Sequence, residues 1–274
     1  MNPQLLRVRG RILHALRDWF HHNGYTEVHT PTLVSSPAME EHLEAVAVGD
    51  LFLHTSPEFA MKRVLGAGLC RIYQIGPSFR NEEVGRNHSR EFTMLEWYRA
   101  NAGTAEIMDE VESLVQAAAH SIGVEQPAFS RISVSELRTQ AGLTDTEDEE
   151  QWFRGWVDEV EPNLTEPVIV YGYPAWQAAL SKERRGLADR FEVYLGGIEL
   201  ANCFAEEGDP EVIRERFHAS AKKRRAMKRH PHPIDEALLE ALPKMPRTAG
   251  IALGIDRLVM ALTNTDSIGM VQVR

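Results

Sequence analysis

The sequence predicts an α+β fold in one domain spanning residues 1–274, an antiparallel sheet flanked by helices. Paired alternating stretches with hairpin signals predict the sheet, and apolar residues at helical spacing around them predict the helices. Neither an internal repeat nor a linker-like stretch divides the chain.

The elements follow in order. Residues 4–22 read as an amphipathic helix, with Leu5, Val8, Ile12, Leu16 and Phe20 about one turn apart, and Asn23-Gly24 stops it. Tyr25 to His29 reads as a short strand ending at Thr30-Pro31, and residues 44–54 alternate as a hairpin would. Ser56 caps a helix with Pro57 in its first turn, running to about Leu65 before Gly66 and Gly68. Arg71–Glu82 and Glu91–Ala100 pair as antiparallel strands across a polar loop, and residues 104–122 form a helix ended by Gly123. Five acidic residues between Thr144 and Glu150 precede a helix through Trp152 and Trp156. Val168–Tyr171 is a strand, and Phe191–Leu195 and Ile198–Asn202 flank Gly196-Gly197, a two-residue hairpin turn. Pro210–Arg229 is helical and increasingly basic, 234–242 is a short helix, and Gly250–Leu262 passes from strand into helix.

Composition narrows the function classes. With 43% hydrophobic and 26% charged residues, the chain has the make-up of a packed domain rather than a disordered one. A net charge of −10 argues against broad nonspecific binding to nucleic acid. Cys70 and Cys203 form no CxxC or zinc pattern, which fits a reduced, cytoplasmic setting. No signal-type apolar stretch opens the chain, and no run approaches ~18 apolar residues, so no membrane partner is expected.

Three segments carry chemistry. On paired strands Arg80 and Glu82 share a face, as do Phe92, Met94 and Glu96 on the return strand. Arginine's planar fork grips two phosphate or carboxylate oxygens, Phe92 offers a ring for a base, and Arg86 and His88 lie on the connecting loop. Taken alone, such a hairpin is equally an exposed surface with weak salt bridges. The second segment, Gly250 to Leu258, sets Arg257 at a strand-to-helix junction, where a helix N-terminus favours anions. A structural ion pair for Arg257 explains that segment equally well. In the third, a two-residue turn pairs Tyr194 with Glu199 and Glu192 with Ala201, leaving Glu192 and Glu199 as diagonal neighbours. Two such carboxylates can bracket a Mg²⁺ that also takes phosphate oxygens. They could also be exposed glutamates on a solvated hairpin. Asn202, Phe204 and Glu206 alternate as the wall of a polar pocket would, and a bulge is needed to bring all of them onto one side.

Together these segments resemble motifs 2 and 3 and the amino-acid pocket of class II aminoacyl-tRNA synthetases, most narrowly lysyl-tRNA synthetase. The helix before Tyr25 to Pro31 resembles motif 1, which implies a homodimer through that helix and strand. Fewer than thirty residues precede motif 1, so no N-terminal anticodon-binding OB-fold is expected. A stand-alone domain of this kind resembles the elongation factor P lysine ligase family, also in Thr55 to Arg63, Tyr171 to Pro174, and Ile198 to Asn202. Ala201 stands where lysyl-tRNA synthetases usually have glycine, which implies a pocket shaped for (R)-β-lysine.

The resemblance implies ATP and Mg²⁺, with lysine or β-lysine activated as an adenylate and passed to a lysine of elongation factor P. Arg80 would hold the α-phosphate and substrate carboxyl, Phe92 would stack on adenine, and Arg257 with His88 would bind the γ-phosphate. Glu192 and Glu199 would bind Mg²⁺, and Glu82 would face the adenosine. Glu58, Glu96, Ala201, Asn202, Phe204 and Glu206 would surround the amino acid, Glu206 pairing with its ε-ammonium. Cys203 departs from the family's glycine and would reshape that pocket, and Asp145–Pro167 is short for the family. Two other readings stand beside this one: a minimal ligase charging tRNA or another small acceptor, and a noncatalytic synthetase-like protein. The basic stretch Ala221–Arg229 reads either as a solvated helix face or as a dock for an acidic partner or RNA. Trp152 and Trp156 read as packing residues, and His21-His22 and His230-Pro231-His232 lack the company of metal ligands.

Overall fold

The structure is a computed structural model that describes residues 2–144, 146 and 148–273. Asp145 and Glu147, part of the acidic stretch read as a helix entry, lie outside the described residues. Helix α1 (Pro3–His22) leads into β1 (Thr26–Glu27), and β2 (Leu33–Val34), β3 (Val46–Val48) and β4 (Leu51–Leu53) form a small sheet of their own. Helix α2 (Glu58–Gly66) precedes the long hairpin of β5 (Arg71–Phe79) and β6 (Glu91–Ala100), followed by α3 (Thr104–Ser121). Next come β7 (Ser130–Ser133), α4 (Val134–Gln140), α5 (Glu149–Gly155) and β8 (Val168–Pro174). Short β9 (Glu183–Arg184) leads to the hairpin of β10 (Leu187–Leu195) and β11 (Ile198–Ala205). Helices α6 (Pro210–Ala226) and α7 (Glu236–Ala241), strand β12 (Thr248–Gly254), and helices α8 (Ile255–Thr263) and α9 (Ile268–Val271) complete the order.

The main sheet runs β1-β5-β6-β12-β11-β10-β8-β7, with β9 beside β10. Its outer pairs, β1 with β5 and β7 with β8, are parallel, and the pairs between them are antiparallel. The α+β fold with a mostly antiparallel sheet is therefore as expected. Period two sorts its faces. Leu95, Trp97, Ile251, Leu253 and Phe191 join the core formed with α1, α3 and α8. Met94, Glu96, Gly250, Ala252 and Asn202 line a cleft on the other face.

Helix α1 buries Ile12, Leu16 and Phe20 completely, and the Phe20 ring stacks on Tyr73 at a centroid distance of 4.2 Å. The Asn2 side chain caps the helix by accepting from the Gln4 N–H at 3.0 Å. Helix α3 places Glu110 where it meets β6 and the chain after α1. Its carboxylate accepts from Tyr25 Oη at 2.7 Å, Trp97 Nε1 at 3.2 Å and Arg99 Nη1 at 2.8 Å. Directional bonds of this kind fix the angle of α3 on the sheet better than apolar contact alone.

Several elements differ from expectation. The strand expected from Arg71 through Glu82 ends at Phe79: the Arg80 N–H still meets the Arg90 carbonyl at 2.9 Å, but the Asn81 N–H leaves the ladder for the Glu44 carbonyl at 2.8 Å. The strand around Tyr25 shrinks to two residues. The helix through Trp152 changes to a wider π turn over Trp156–Val160. The two indoles stack 5.5 Å apart inside a second core cluster, so they do act as packing residues.

The basic end of α6 is used largely within the chain. Arg224 is fully buried and donates to the Leu43 carbonyl and Glu44 Oε2, both at 2.7 Å. Arg229 reaches the His42 carbonyl at 3.1 Å, and Lys223 pairs with Glu41 at 3.0 Å. These groups clamp residues 39–44 beside the cleft, a role neither reading of the basic stretch foresaw. Among the described residues no helix is long and apolar enough to cross a membrane.

Candidate active site

The cleft holds about 320 Å³ between α2, the β5–β6 loop, and strands β11 and β12. Its cationic end gathers residues distant in sequence. Arg257, in the first turn of α8, donates through Nη2 to His88 Nε2 at 2.6 Å and through Nη1 to the Glu199 carbonyl at 2.9 Å. Its Nη1 also lies 3.4 Å from Glu199 Oε2. Burial and the Arg257 charge hold His88 below the ordinary imidazole pKa, so a neutral ring accepts from the arginine. Arg80 lies over the Phe92 ring at 5.2 Å and pairs with Glu83 at 3.1 Å. Its buried Nε has no hydrogen-bond partner among the described residues. A buried donor left open on a cation suits an anionic ligand.

The opposite end is acidic and closed. Glu96 accepts from Ser56 Oγ at 2.7 Å and Tyr98 Oη at 2.5 Å. Burial, then repulsion from Glu58, pushes its carboxyl up to about 7. Glu58 and Glu206 both contact Lys62, at 2.6 and 2.5 Å. Burial pushes Glu206 up to about 8, with Lys62 pulling against it and Glu58 adding to it. Asn202 borders this end, its buried Oδ1 without a hydrogen-bond partner among the described residues, and Phe204 and Ala201 border it too. The cleft thus offers cations to one end of a ligand and carboxylates to the other.

Some expected residues are placed elsewhere. Glu82 does not line the cleft: the chain beyond Phe79 is loop, and Glu82 turns outward to Arg229 at 2.5 Å. Glu83 takes the place at Arg80 that was expected of Glu82. Arg86 binds Asp266 at the surface, at 2.8 Å, rather than reaching into the cleft. In the β10–β11 hairpin the turn pairs Leu195 with Ile198 and Tyr194 with Glu199 as expected, and then the register shifts. Glu192 consequently faces Asn202, not Ala201. The extra residue turns Leu200 and Ala201 both toward the core and keeps Glu199 on the same side as Asn202, Phe204 and Glu206. Cys203 is fully buried in the core behind the sheet, so its side chain does not enter the pocket.

The two carboxylates read as the magnesium pair share one face of the sheet and sense each other, but only Glu199 lines the cleft. Glu199 stands on the cleft wall, its carboxyl pushed up to about 7 by burial and by Glu192, while Arg257 and Arg190 pull it down. Glu192 is outside the wall, engaged by Arg190, by Tyr173 Oη at 2.6 Å and by Tyr194 Oη at 2.7 Å. Among the described residues no three His, Cys, Asp or Glu side chains gather as a metal cage. A magnesium ion carried by nucleotide phosphates needs only one or two protein carboxylates, a demand Glu199 fits.

Lys62, Glu83 and Tyr98 were given no role from sequence, and Ser56 only that of a helix cap, which it fills by accepting from the Glu58 N–H at 3.0 Å. Glu58 and Lys62 show as a helical i, i+4 pair, whereas the contact with Glu206 is visible only once α2 meets the end of β11. Gly250 is the other silent requirement. A Cβ there would stand 2.2 Å from Tyr98 Cε1 and 3.0 Å from Glu206 Oε1. Gly250→Ala should push the Tyr98 ring off the strand, costing about 1–3 kcal/mol in thermal or denaturant unfolding. An unchanged unfolding midpoint would contradict this close approach.

The fold and cleft define a class II synthetase-type catalytic domain: a mostly antiparallel sheet with an arginine from the strand hairpin facing one from the final strand-helix unit. The family model of class II tRNA synthetases (D, K and N) matches residues 2–273, and the chain belongs to that family. Membership implies ATP-dependent activation and ligation of an amino acid.

Proposed function

We propose that this chain activates lysine or (R)-β-lysine with ATP and transfers it to a lysine side chain of elongation factor P. The observation that carries the activation step is the polarity of the cleft. Arg80, His88 and Arg257 stand at one end, and Glu58, Glu96 and Glu206 are buried at the other. In this reading Phe92 stacks on adenine, Arg257 with His88 takes the γ-phosphate, and Arg80 takes the α-phosphate and the substrate carboxylate. Glu199, with Glu192 behind it, holds the magnesium ion that comes with ATP. The ion would neutralise phosphate charge. Glu58, Asn202, Phe204 and Glu206 receive the amino groups, and Glu96 supports them through Ser56 and Tyr98.

The substrate carboxylate attacks the α-phosphorus, forming the acyl–adenylate bond and releasing pyrophosphate. An acceptor amine then attacks the acyl carbon, releasing AMP and, on forming the amide, a proton. The fixed arginines hold the reactants in line and stabilise charge as it develops. The acceptor rests on the resemblance of the ordered motifs and on Ala201, and assembly as a homodimer through α1 and β1 belongs to the same reading.

Incubation with ATP, labelled lysine or β-lysine, and either elongation factor P or tRNA separates the acceptors. Label on the protein is expected. Label on tRNA alone would replace the acceptor, and label on neither would overturn the transfer step. Glu206→Gln should raise the lysine KM about 10–100-fold while changing the ATP KM little, since hydrogen bonds to charged groups contribute about 1.5–3 kcal/mol. Equal loss for both substrates would contradict the assignment of Glu206.

A further inference from the structure

Lys62 has no part in the chemistry assigned above, yet it sits at the floor of the acidic end. Its Nζ lies 2.6 Å from Glu58 Oε1 and 2.5 Å from Glu206 Oε2, and the side chains of Lys62 and Glu206 are 2% and 1% exposed. An ammonium so buried has lost its hydration, and only close carboxylates offset that loss. Burial works against its charge, and Glu206 and Glu58 outweigh burial, holding its pKa above the ordinary value. This is a built-in ion pair rather than a surface contact.

The other ionisable groups facing it are Glu96 and Tyr98 from β6. Farther out, Glu40 senses Glu58 and Cys203 senses Glu206. With all of these groups ionised, the three carboxylates at the floor (Glu58, Glu96, Glu206) against one ammonium (Lys62) would leave two negative charges. An amino acid whose carboxylate is held by Arg80 brings one ammonium if its side chain is neutral, and two if it is a diamino acid.

We propose that Lys62 is a specificity-determining residue, a resident counter-ion that sets the pocket's charge so that two substrate ammonium groups, not one, complete it. The inference rests on the lysine-activating reading above. Lys62 stays in place, and the substrate's distal ammonium takes the other side of Glu206, whose Oε1 faces the bare backbone of Gly250. In the empty pocket Glu96 and Glu206, pushed up to about 7 and about 8, hold protons near neutral pH. Two incoming ammonium groups must displace those protons. Lys62 pulls both carboxyls down and so makes displacement easier.

The lysine KM should fall as pH rises through this range, and losing Lys62 should move that fall to higher pH. The test is ATP–pyrophosphate exchange with lysine across pH in the wild-type chain, Lys62→Met and Lys62→Arg. Near neutral pH, Lys62→Met is expected to raise the lysine KM about tenfold or more with the ATP KM unchanged, the tenfold corresponding to a displacement of about one pH unit. Lys62→Arg should return the profile toward that of the wild type. A folded Lys62→Met chain with wild-type lysine KM and pH profile would overturn the proposal. Should that variant not fold, lysine binding to the wild-type chain is measured by calorimetry in two buffers of different ionisation heat. Proton release near neutral pH that disappears in alkaline buffer is expected, and no release near neutral pH would overturn the proposal. A wild-type chain lacking lysine-dependent exchange would instead refute the lysine-activating reading, so the two failures are distinguishable.

Discussion

Arg257→Ala should lower ATP–pyrophosphate exchange by about 10²–10³-fold, the usual loss when one fixed electrostatic partner of a transition state is removed. The guanidinium is held from three sides: by His88 Nε2, by the Glu199 carbonyl and by the Asn87 carbonyl at 3.3 Å. It therefore needs little reordering before it meets a phosphate. Its partners are a ring, backbone carbonyls and a partly exposed carboxylate, all able to turn to water when it is gone. The fold should consequently survive, and circular dichroism and the unfolding midpoint should match the wild type. Full exchange activity in the folded variant would remove Arg257 from the chemistry.

Glu110→Ala should act on stability instead, by about 2–6 kcal/mol. That one carboxylate satisfies Tyr25 from the chain after α1, Trp97 and Arg99 from β6, and anchors α3 to both. Its loss leaves a buried phenol and a buried indole N–H without their acceptor, each costing about 1–3 kcal/mol. Arg99 adds less, because its side chain is 28% exposed and turns to solvent. Denaturant unfolding should show a lower midpoint with an unchanged slope. A midpoint within experimental error of the wild type would mean that α3 is held by apolar packing alone.

Much of this arrangement was legible where local pattern and tertiary structure agree. Alternation on β6 sends Glu96 to the cleft and Trp97 to the core, and the Gly196-Gly197 turn sets the first two pairs of its hairpin. Legibility ends where distant groups decide. The need for a bulge was legible in the alternation of Asn202, Phe204 and Glu206, but its place at Leu200 was not, because it depends on core neighbours for both Leu200 and Ala201. Glu82 and Glu83 are adjacent acids on one loop. Which of them meets Arg80 depends on Arg229, and on the Asn81 N–H donating to the Glu44 carbonyl at 2.8 Å, both contacts from far along the chain. The basic end of α6 looked like surface because its backbone acceptors, the carbonyls of residues 40–43, carry no sequence signature. Lys62 was visible as a partner of Glu58 and invisible as a partner of Glu206.

In the function proposed above, one cleft joins ATP to a diamino acid. ATP–pyrophosphate exchange, run with lysine, (R)-β-lysine and norleucine, tests it most directly. Exchange that depends on lysine or β-lysine and fails with norleucine, which matches lysine's chain without the terminal amine, is the expected result. Exchange equally strong with norleucine, or none with any amino acid, would contradict the account.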